Sequence, residues 1–439
     1  MSHASSSNHS VGGGVKGNHA RYVSLRWIVI PLLLLVPLST RGSDRFEFSG
    51  YFKNFSVVYD MPNASVFGFG DTSFTLGSSS NRLRLNAVYH FNDRLTFEGA
   101  YNFVPRIQDH RLFLEDPFAF GINPRGYRFD DLDRLLYPDD ISSVSSFGIY
   151  QNLDRAFFTF SAPRFDLYVG RQAIAWGTAR VVNPTDVLAP YAFTELDSEY
   201  RVGIDAVRLR WPIGFMGEID VGYVAGRDFA FTNSAVFGRG RFYAYQTNFS
   251  VTALIFRENL LIGFDMARSI GGAGFWFEAA EVIVGAIDDS GKNGNDYLRF
   301  STGADYSFTS ELYGFVEYHF NQAGSTEPAD YFSLLRTTAY QEGSVYLLGE
   351  HYLIPGVSYQ ITPLITATGD ALINLADPSV SLTPYVEYNI SENIYVALGA
   401  YIGIGKGPTL SAAPFPHLQF GSEFGAYPNL YYSSFKIYF

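Results

Sequence analysis

The chain contains no cysteine, has few charged residues and, after residue 40, has no long apolar run. The missing cysteines exclude disulfides, thiolate metal ligands, a cysteine nucleophile and covalent attachment of c-type haem, so a redox cofactor would have to come from a partner. Charged residues make up 17% of the 439 residues, whereas soluble proteins carry about a quarter. A soluble enzyme is therefore disfavoured. The missing run of about 18 apolar residues also disfavours a bundle of transmembrane helices.

Aromatic residues and glycine take the place of the missing charges. The chain has 40 Phe, 31 Tyr and 42 Gly. Aromatic side chains favour β-strands. A strand-rich fold is therefore what the composition leaves.

The N-terminal segment has the pattern of a secretory signal peptide. A polar stretch with three basic residues precedes an apolar run of 12 residues, Trp27 to Leu38. This run is too short to span a bilayer as a helix and fits the core of a signal peptide. We expect residues 1–42 to be removed and residues 43–439 to form one domain. After this removal, 27 of the 31 basic residues remain, together with 43 acidic ones. The resulting negative net charge argues against a nucleic-acid partner.

The mature sequence alternates apolar and polar residues with a period of two. One strand face carries Leu83, Leu85, Ala87, Tyr89 and Phe91, and the other carries Arg82, Arg84, Asn86 and His90. After a turn at Asn92-Asp93 the alternation resumes from Leu95 to Phe103. This pattern predicts antiparallel hairpins with one apolar face. A soluble β-sandwich would share it.

Three further features favour a barrel in the outer membrane over a sandwich. Short turns, such as those near Asn92 and Glu258, alternate with long connections, such as 104–152 and 226–240, and aromatic residues lie near the strand ends, as in outer-membrane barrels. Third, the C-terminal strand carries apolar residues at alternate positions, namely Tyr431, Phe435, Ile437 and the terminal Phe439. This ending resembles the targeting signal of bacterial outer-membrane barrels. The resemblance implies a Gram-negative cell, with outer-membrane lipid and the barrel-assembly machinery as partners of the protein.

Sixteen candidate strands can be counted in the mature sequence. They begin near residues 46, 81, 94, 154, 165, 201, 218, 242, 260, 297, 312, 350, 364, 381, 394 and 430. The segment from Phe275 to Val284 also has strand character, but we assign it to an external loop because a seventeenth strand would break the even-number rule. The sequence thus predicts an all-β, transmembrane, antiparallel up-and-down β-barrel of about 16 strands, with 18 as the alternative. Short periplasmic turns and long external loops connect its strands, and a barrel of this size leaves room for an aqueous channel.

Strand parity predicts which charged residues line the lumen. The basic residues on the polar faces are Arg82, Arg84, Arg155, Arg171, Arg208 and Arg210. The acidic ones are Glu98, Glu218, Asp220, Asp265, Asp305, Glu317 and Glu387. The basic residues come from early strands and most acidic ones from later strands, so the wall could carry two opposed sectors and a transverse field. The alternative is a set of solvated wall residues paired across strands and without selectivity.

Arg171 does not fit the parity of its strand. It alternates with Leu167 and Val169, which would direct it toward lipid. We expect either a bulge at Gly170 that turns it inward or a position near the rim of the barrel.

The segment around Arg171 has the most distinctive sequence of the chain. It contains Gly170-Arg171-Gln172, then Trp176-Gly177, then Asn183-Pro184-Thr185-Asp186. Residues 170–190 resemble a segment of poorly characterised porin families grouped with alginate-export-like barrels. That resemblance implies a channel-type barrel and no particular substrate.

Asn-Pro-Thr-Asp forms turns readily, so this loop could fold inward as a constriction lined by Arg171, Arg180, Asn183 and Asp186. An exposed loop with a structural proline turn is the alternative.

Nothing in the sequence indicates catalysis, a metal or a cofactor. Glu317 and His319 share a strand face and make a minimal acid-base pair, but no hydrolase, metalloprotease or phosphate-loop motif accompanies them. The acidic stretch within 104–152 lacks the spacing of a calcium loop. We therefore predict a protein that is not an enzyme.

The prediction is an outer-membrane, porin-like channel for passive, electrostatically filtered diffusion of small hydrophilic solutes. One alternative is an exporter of an anionic polymer, which a continuous basic lumen would support. Others are a sheath for a partner cytochrome in electron transfer and a purely structural or adhesive barrel. Assembly into a homo-oligomer is an alternative to a monomer.

Overall fold

Eighteen strands, counted over the described residues, pair in chain order into one antiparallel sheet that closes on itself. The computed structural model describes residues 45–62, 74–112, 126–138, 146–189, 196–197, 199–411 and 417–439. The predicted signal peptide, residues 1–42, lies outside them.

The wall strands are β1 (Phe46–Asp60), β2 (Thr75–Asn92), β3 (Leu95–Gln108), β4 (Phe147–Ala162), β5 (Phe165–Gln172), β6 (Ile204–Ile213), β7 (Gly217–Ala225), β8 (Ala235–Ala244), β9 (Thr247–Phe256), β10 (Asn259–Ile270), β11 (Ala273–Ile283), β12 (Tyr297–Ser307), β13 (Leu312–Asn321), β14 (His351–Thr362), β15 (Ile365–Asn374), β16 (Ser379–Leu382 and Tyr385–Ser391), β17 (Ile394–Ile404) and β18 (Asn429–Tyr438). The ring closes where β18 pairs with β1, with Tyr438 opposite Tyr51. β16 is interrupted next to Pro384, a residue that cannot donate a ladder hydrogen bond.

Among the described residues the wall has eighteen strands, the number given as the alternative to about sixteen. The segment assigned to an external loop, Phe275 to Val284, lies almost entirely in wall strand β11. The segment 226–240, read as a long connection, contains the first part of β8, and a turn at Tyr245-Gln246 separates β8 from β9. Both turn residues have positive φ, 51° and 59°. Neither is Gly, Asn or Asp, so these residues do not indicate a two-residue hairpin turn.

The connections separate into two ends of the barrel. Turns of two to four residues join the strands at one end, at 93–94, 163–164, 214–216, 245–246, 271–272, 308–311, 363–364 and 392–393. Most connections at the other end are longer, up to the one between β3 and β4. The short turn predicted near Glu258 is an exception, because it joins β9 to β10 at the long-loop end.

Short elements decorate the long-loop end. They are the helices α1 (Tyr331–Leu334), α2 (Thr338–Gln341) and α3 (Glu423–Ala426), the 3₁₀ turns His110–Leu112, Arg227–Phe229, Phe231–Asn233 and Pro328–Asp330, and the strands Leu135–Tyr137, Thr409–Ser411 and His417–Gln419. Among the described residues, no helix has the length and apolar character needed to cross a membrane.

The outer face of the barrel is apolar and aromatic. Across β8 to β13 one continuous row of outward rings is in contact, with neighbouring centroids 5.2–6.3 Å apart: Phe242, Phe249, Phe264, Phe277, Phe300 and Phe320. The residues of the predicted targeting signal, Tyr431, Phe435 and Ile437, lie at alternate positions of β18, and Tyr431 is exposed. Phe439 exchanges backbone hydrogen bonds with Gly50 at the short-turn end.

The inner face carries the polar residues and a buried apolar cluster. Loop residues such as Ile174, Val187 and Tyr340 pack in this cluster with inward wall residues such as Phe237 and Leu254. The core of this protein therefore lies inside the barrel, between the wall and the segments that fold into it.

Candidate functional site: a loop that crosses the lumen

Between β5 and β6, residues 173–189 fold into the barrel, and residues 196–197 and 199–203 lie against another part of its wall; we call these described residues the crossing loop. Its first part lies on the inner face of β11 to β13. There the carboxylate of Glu278 accepts hydrogen bonds from the backbone N–H of Thr178 at 2.7 Å and of Thr185 at 2.9 Å, and from the Thr185 hydroxyl at 2.7 Å. Glu317 accepts from the backbone N–H of Arg180 at 2.7 Å and of Val182 at 3.0 Å.

Both carboxylates are fully buried, and their loop contacts satisfy them. Glu278 and Glu317 have exposed fractions of 0%. Glu317 also accepts a hydrogen bond from the indole N–H of Trp276 at 3.0 Å. Buried carboxylates are tolerated when several N–H groups bond to them. These two residues therefore act as anchors for the crossing loop.

β12 adds two hydrogen bonds to the same part of the loop. The Ser301 hydroxyl donates to the carbonyl of Val182 at 2.6 Å, and the Arg299 guanidinium donates to the carbonyl of Pro184 at 2.9 Å. His319 lies 2.8 Å from Ser301, between Nδ1 and Oγ. Glu317 and His319, the pair considered as an acid-base couple, are thus both engaged in holding the loop.

Asn183-Pro184-Thr185-Asp186 forms the predicted turn, and Gly177 makes room for it. The Asp186 N–H donates to the carbonyl of Asn183 at 3.2 Å. Gly177 has φ 120°, and a Cβ there would lie 2.1 Å from Asn183 Oδ1. Only glycine fits both the backbone conformation and the contact.

The second described part of the crossing loop contacts the opposite side of the ring. Asp197 accepts from Lys53 Nζ on β1 at 2.9 Å and from Arg82 on β2 at 2.7 Å. Glu199 also pairs with Lys53, and the Tyr200 ring stacks on Tyr51 with centroids 5.9 Å apart. Because β2 and β12 lie on nearly opposite sides of the eighteen-strand ring, the two described parts of the crossing loop contact opposite sides of the lumen.

Arg180 has the most exposed charged side chain among the described residues of the crossing loop. Its side chain is 52% exposed and pairs with Asp305 on β12, with Nε 3.1 Å from Oδ2. The guanidinium also lies over the Trp276 ring, 5.3 Å from its centroid. Asp186, by contrast, is buried beside Arg201, whose Nη1 is 2.9 Å from Oδ2. Burial raises the pKa of Asp186 to about 7.

The predicted basic residues of the wall are paired with carboxylates and do not form a separate sector. The pairs, with their N–O distances, are Arg84–Asp154 at 2.7 Å, Arg155–Asp154 at 2.8 Å, Arg208–Asp220 at 2.6 Å and Arg210–Glu218 at 2.6 Å. Asp265 pairs with Arg239 at 3.1 Å, and Glu387 pairs with Lys436 at 3.0 Å. Glu98 is half-buried on β3. The wall therefore carries adjacent pairs of a basic residue and a carboxylate, and not the predicted basic sector opposite an acidic sector.

Arg171 occupies the rim position that was one of the two expectations. It is the penultimate residue of β5, at the long-loop end. The register on both sides of Gly170 is regular, although Gly170 has φ 121°. The guanidinium is buried and donates to both carboxylate oxygens of Asp205 at 2.7 and 2.9 Å and to Asp131 at 2.8 Å. Its role here is to tie strand ends to the loop between β3 and β4.

A second inward segment, around α3, is anchored by another buried carboxylate. Glu423 accepts from the Leu348 N–H at 2.8 Å, the Asn374 amide at 2.9 Å and the Tyr352 hydroxyl at 2.5 Å. Burial raises the pKa of Glu423 to about 7. No group of three or more His, Asp or Glu side chains suited to a metal ion occurs among the described residues.

Sequence reasoning missed several residues of this site. Glu278 was hidden because its strand had been assigned to a loop. Lys53 lies on a strand that had been identified, and its parity could have placed it on the inner face. Asp154 is adjacent to Arg155, which parity had placed inside, and it also reaches the inner face only because the pairing of β3 with β4 shifts register at this point. The inward course of residues 196–201 had no signal in the sequence, since it depends on side chains from three distant strands.

Comparison with known proteins gives a fold and no family. No protein-family profile matches the chain, and no curated protein matches its sequence. The structure is similar to the outer membrane protein OprD from Pseudomonas aeruginosa, with a TM-score of 0.52 and 9% identity over 90% of this chain and 93% of that one. OccK8 (OprE) and OccK9 (OpdG) of Pseudomonas aeruginosa each have a TM-score of 0.51, with 9% and 10% identity over 90% of this chain and 98% of theirs. At such identities the likeness shows the fold alone, a closed antiparallel β-barrel like those of these proteins.

Proposed function

We propose that this porin-type barrel is a channel of the bacterial outer membrane for passive diffusion of small hydrophilic solutes, with the crossing loop as its constriction. The observation that carries the proposal is the attachment of one loop to both sides of the lumen, at Glu278 and Glu317 on one side and Lys53 and Arg82 on the other. Solutes that pass the barrel must pass beside this loop.

The closed sheet and its apolar outer surface support a location in lipid. A strand edge open to lipid would leave backbone groups unsatisfied, and closure removes every edge. The outward phenylalanine row gives the apolar surface that such a barrel presents to acyl chains. The C-terminal Phe439 and the alternate apolar positions before it fit delivery by the barrel-assembly machinery.

The accessible inward charges support a water-filled path with an electrostatic filter. The side chains of Arg180, Arg241, Arg210 and Arg82 are 52%, 46%, 34% and 32% exposed, and each has a carboxylate partner. Neighbouring charges of both signs in a narrow, low-dielectric passage orient dipolar solutes and admit ions by sign. A channel that acts in this way performs no chemistry, so the proposal includes no catalytic step.

The alternatives have less support in the structure. An exporter of an anionic polymer would need a continuous basic lumen, whereas the arginines of this wall are paired with carboxylates. A partner cytochrome would compete for the space in which the crossing loop and the α3 segment pack. A purely structural barrel is distinguished by the absence of conductance.

The experiment that tests the proposal is single-channel recording from the refolded mature protein, residues 43–439, in planar bilayers. Stable open steps and a nonzero reversal potential in a salt gradient are the expected results. A barrel that is correctly folded, as judged by circular dichroism and resistance to unfolding in detergent, yet never conducts would overturn it. Sizing the same sample in detergent decides between a monomer and a homo-oligomer.

A further inference from the structure

Tyrosine side chains line one sector of the inner wall from the long-loop end to the short-turn end. On β16 to β18, the rings of Tyr401 and Tyr432 are stacked with centroids 6.2 Å apart, and those of Tyr432 and Tyr385 are stacked at 6.4 Å. Nearer the short-turn end, Tyr395 meets Tyr438 edge-on at 5.9 Å. We call these five residues the tyrosine track.

The track faces the lumen and not the outer surface. Tyr431, Val386 and Leu398, the neighbours of track residues on the same strands, are the exposed outward residues. A Cβ at Gly399 would lie 2.5 Å from the Tyr432 ring, so the rings of β16 and β18 lie over a glycine of β17. Because Gly399 has no side chain, the rings can lie flat along the wall.

Hydrogen-bonding groups lie between the two parts of the track. Lys436 Nζ is 3.0 Å from Glu387 Oε2 and 3.2 Å from the Tyr385 hydroxyl, which itself donates to Glu387 at 2.5 Å. The Tyr438 hydroxyl donates to Glu199 of the crossing loop at 2.7 Å. Flat apolar rings thus alternate with paired donors and acceptors along the path.

We propose that the tyrosine track binds linear, uncharged oligosaccharides during their passage, a substrate class for the channel that rests on the proposed function. A pyranose ring has an apolar face of C–H groups that packs on an aromatic ring, and a rim of hydroxyls that bond to lysine, glutamate and tyrosine hydroxyls. The track offers both kinds of contact side by side. Its two parts are separated by the distance from Tyr401 to Tyr395 on β17, roughly 20 Å along an extended strand, so a ligand that contacts both is elongated.

The charges beside the track disfavour ionic ligands. The protein's own lysines already occupy the cation positions over the rings, with Lys436 5.8 Å from the Tyr385 centroid and Lys53 5.6 Å from that of Tyr438. An anionic ligand would meet Glu387 and Glu199, and a cationic one would displace Lys436 or Lys53. A neutral polyhydroxylated chain is not repelled by these carboxylates and does not have to displace either lysine.

The test is the block of single-channel current by glucose oligomers. Maltohexaose and cellohexaose are added to the open wild-type channel and compared with glucose. Block by either hexasaccharide at concentrations at least about tenfold below that of glucose, roughly 1.4 kcal/mol, is the expected result. Tyr432→Ala and Tyr385→Ala should lose most of this preference, Tyr432→Phe should keep it, and Tyr431→Ala, one residue away on the outer face, should match wild type.

The outcomes separate this inference from the channel proposal. No open steps in the wild-type protein would contradict the channel itself. Open steps that neither hexasaccharide blocks, or a preference that Tyr432→Ala and Tyr385→Ala leave unchanged in conducting channels, would overturn the oligosaccharide site alone. Tyr432→Phe keeps the ring, so it remains informative if the alanine variants do not fold.

Discussion

Glu317 on β13 accepts a hydrogen bond from the backbone N–H of Arg180, 2.7 Å away, across 137 residues of sequence. This contact and most of those of Glu278 are made to backbone N–H groups of the crossing loop. The arrangement leaves the Arg180 side chain directed to Asp305 and accessible to solvent. The wall strands thereby hold the loop in place, and the loop carries the exposed charge of Arg180.

Replacing both anchors, in Glu278→Gln/Glu317→Gln, should loosen the crossing loop and raise the conductance. Each buried carboxylate accepts several N–H donors, and a hydrogen bond to a charged group contributes about 1.5–3 kcal/mol. A glutamine amide keeps the shape but loses the charge and half of the acceptor capacity. We expect larger and noisier open steps in planar bilayers.

Glu281→Gln is the matched control for the anchor variant. It makes the same change on β11, where Glu281 alternates with the inward Glu278 and Ala280 and so falls on the outer face. Its conductance should equal that of the wild type. Equal conductance in the anchor variant, with its fold intact, would show that the crossing loop does not restrict the path.

Arg180→Ala should make the channel more selective for cations. The substitution removes an exposed positive charge and leaves Asp305 unpaired at the same point of the path. Unit charges a few ångströms apart interact by about 1 kcal/mol in water, so we expect the cation-to-anion permeability ratio to rise by a factor of about two to five. The reversal potential in a salt gradient measures this ratio. Arg268→Ala, which removes an arginine from the outer face of β10, should leave it unchanged.

The sequence predicted the closed antiparallel barrel because alternation and turn chemistry are local. It failed at Tyr245-Gln246, where two residues that rarely adopt positive φ form a two-residue turn. That single missing signal merged β8 with β9 and shifted Phe275 to Val284 out of the wall. The Gly271-Gly272 turn alone could not correct the number of wall strands, because adding only the strand that follows this turn gives an odd number.

The candidate site was predicted in part. Residues 183–186 were expected to form a turn, with an inward constriction and an exposed loop as the two alternatives, and the structure places Pro184 next to β12. Parity also placed Glu317 on the inner face, but it could not show that this carboxylate is buried under the loop. Which inward residues face water depends on the path of the loops, and no local pattern encodes that path.

Val251→Arg should destabilise the barrel if its outer face lies in lipid. Val251 is 48% exposed in the middle of β9, on the same face as Phe249. An arginine at the bilayer midplane of a barrel costs about 2–4 kcal/mol. Unfolding by guanidinium in lipid vesicles should show this loss in the free energy of unfolding. Ile270→Arg, at an exposed outward position beside the Gly271-Gly272 turn at the end of β10, should change the stability little, and equal stability of both variants would contradict the membrane placement.

Acidic pH should hold the crossing loop more firmly in place. Burial raises the pKa of Asp186 from its ordinary value of 3.8 to about 7, so between pH 4 and 7 the docked loop binds a proton that a released loop does not. Docking therefore becomes more favourable as the pH falls from about 7 toward 4, and weaker as the pH rises through 7. Open-channel current noise should be lower at pH 5 than at pH 8. Because Glu423 titrates in the same range, Asp186→Asn should reduce this dependence and Asp186→Asn/Glu423→Gln should abolish it. Noise that depends on pH equally in the double variant and the wild type would exclude both carboxylates as its source.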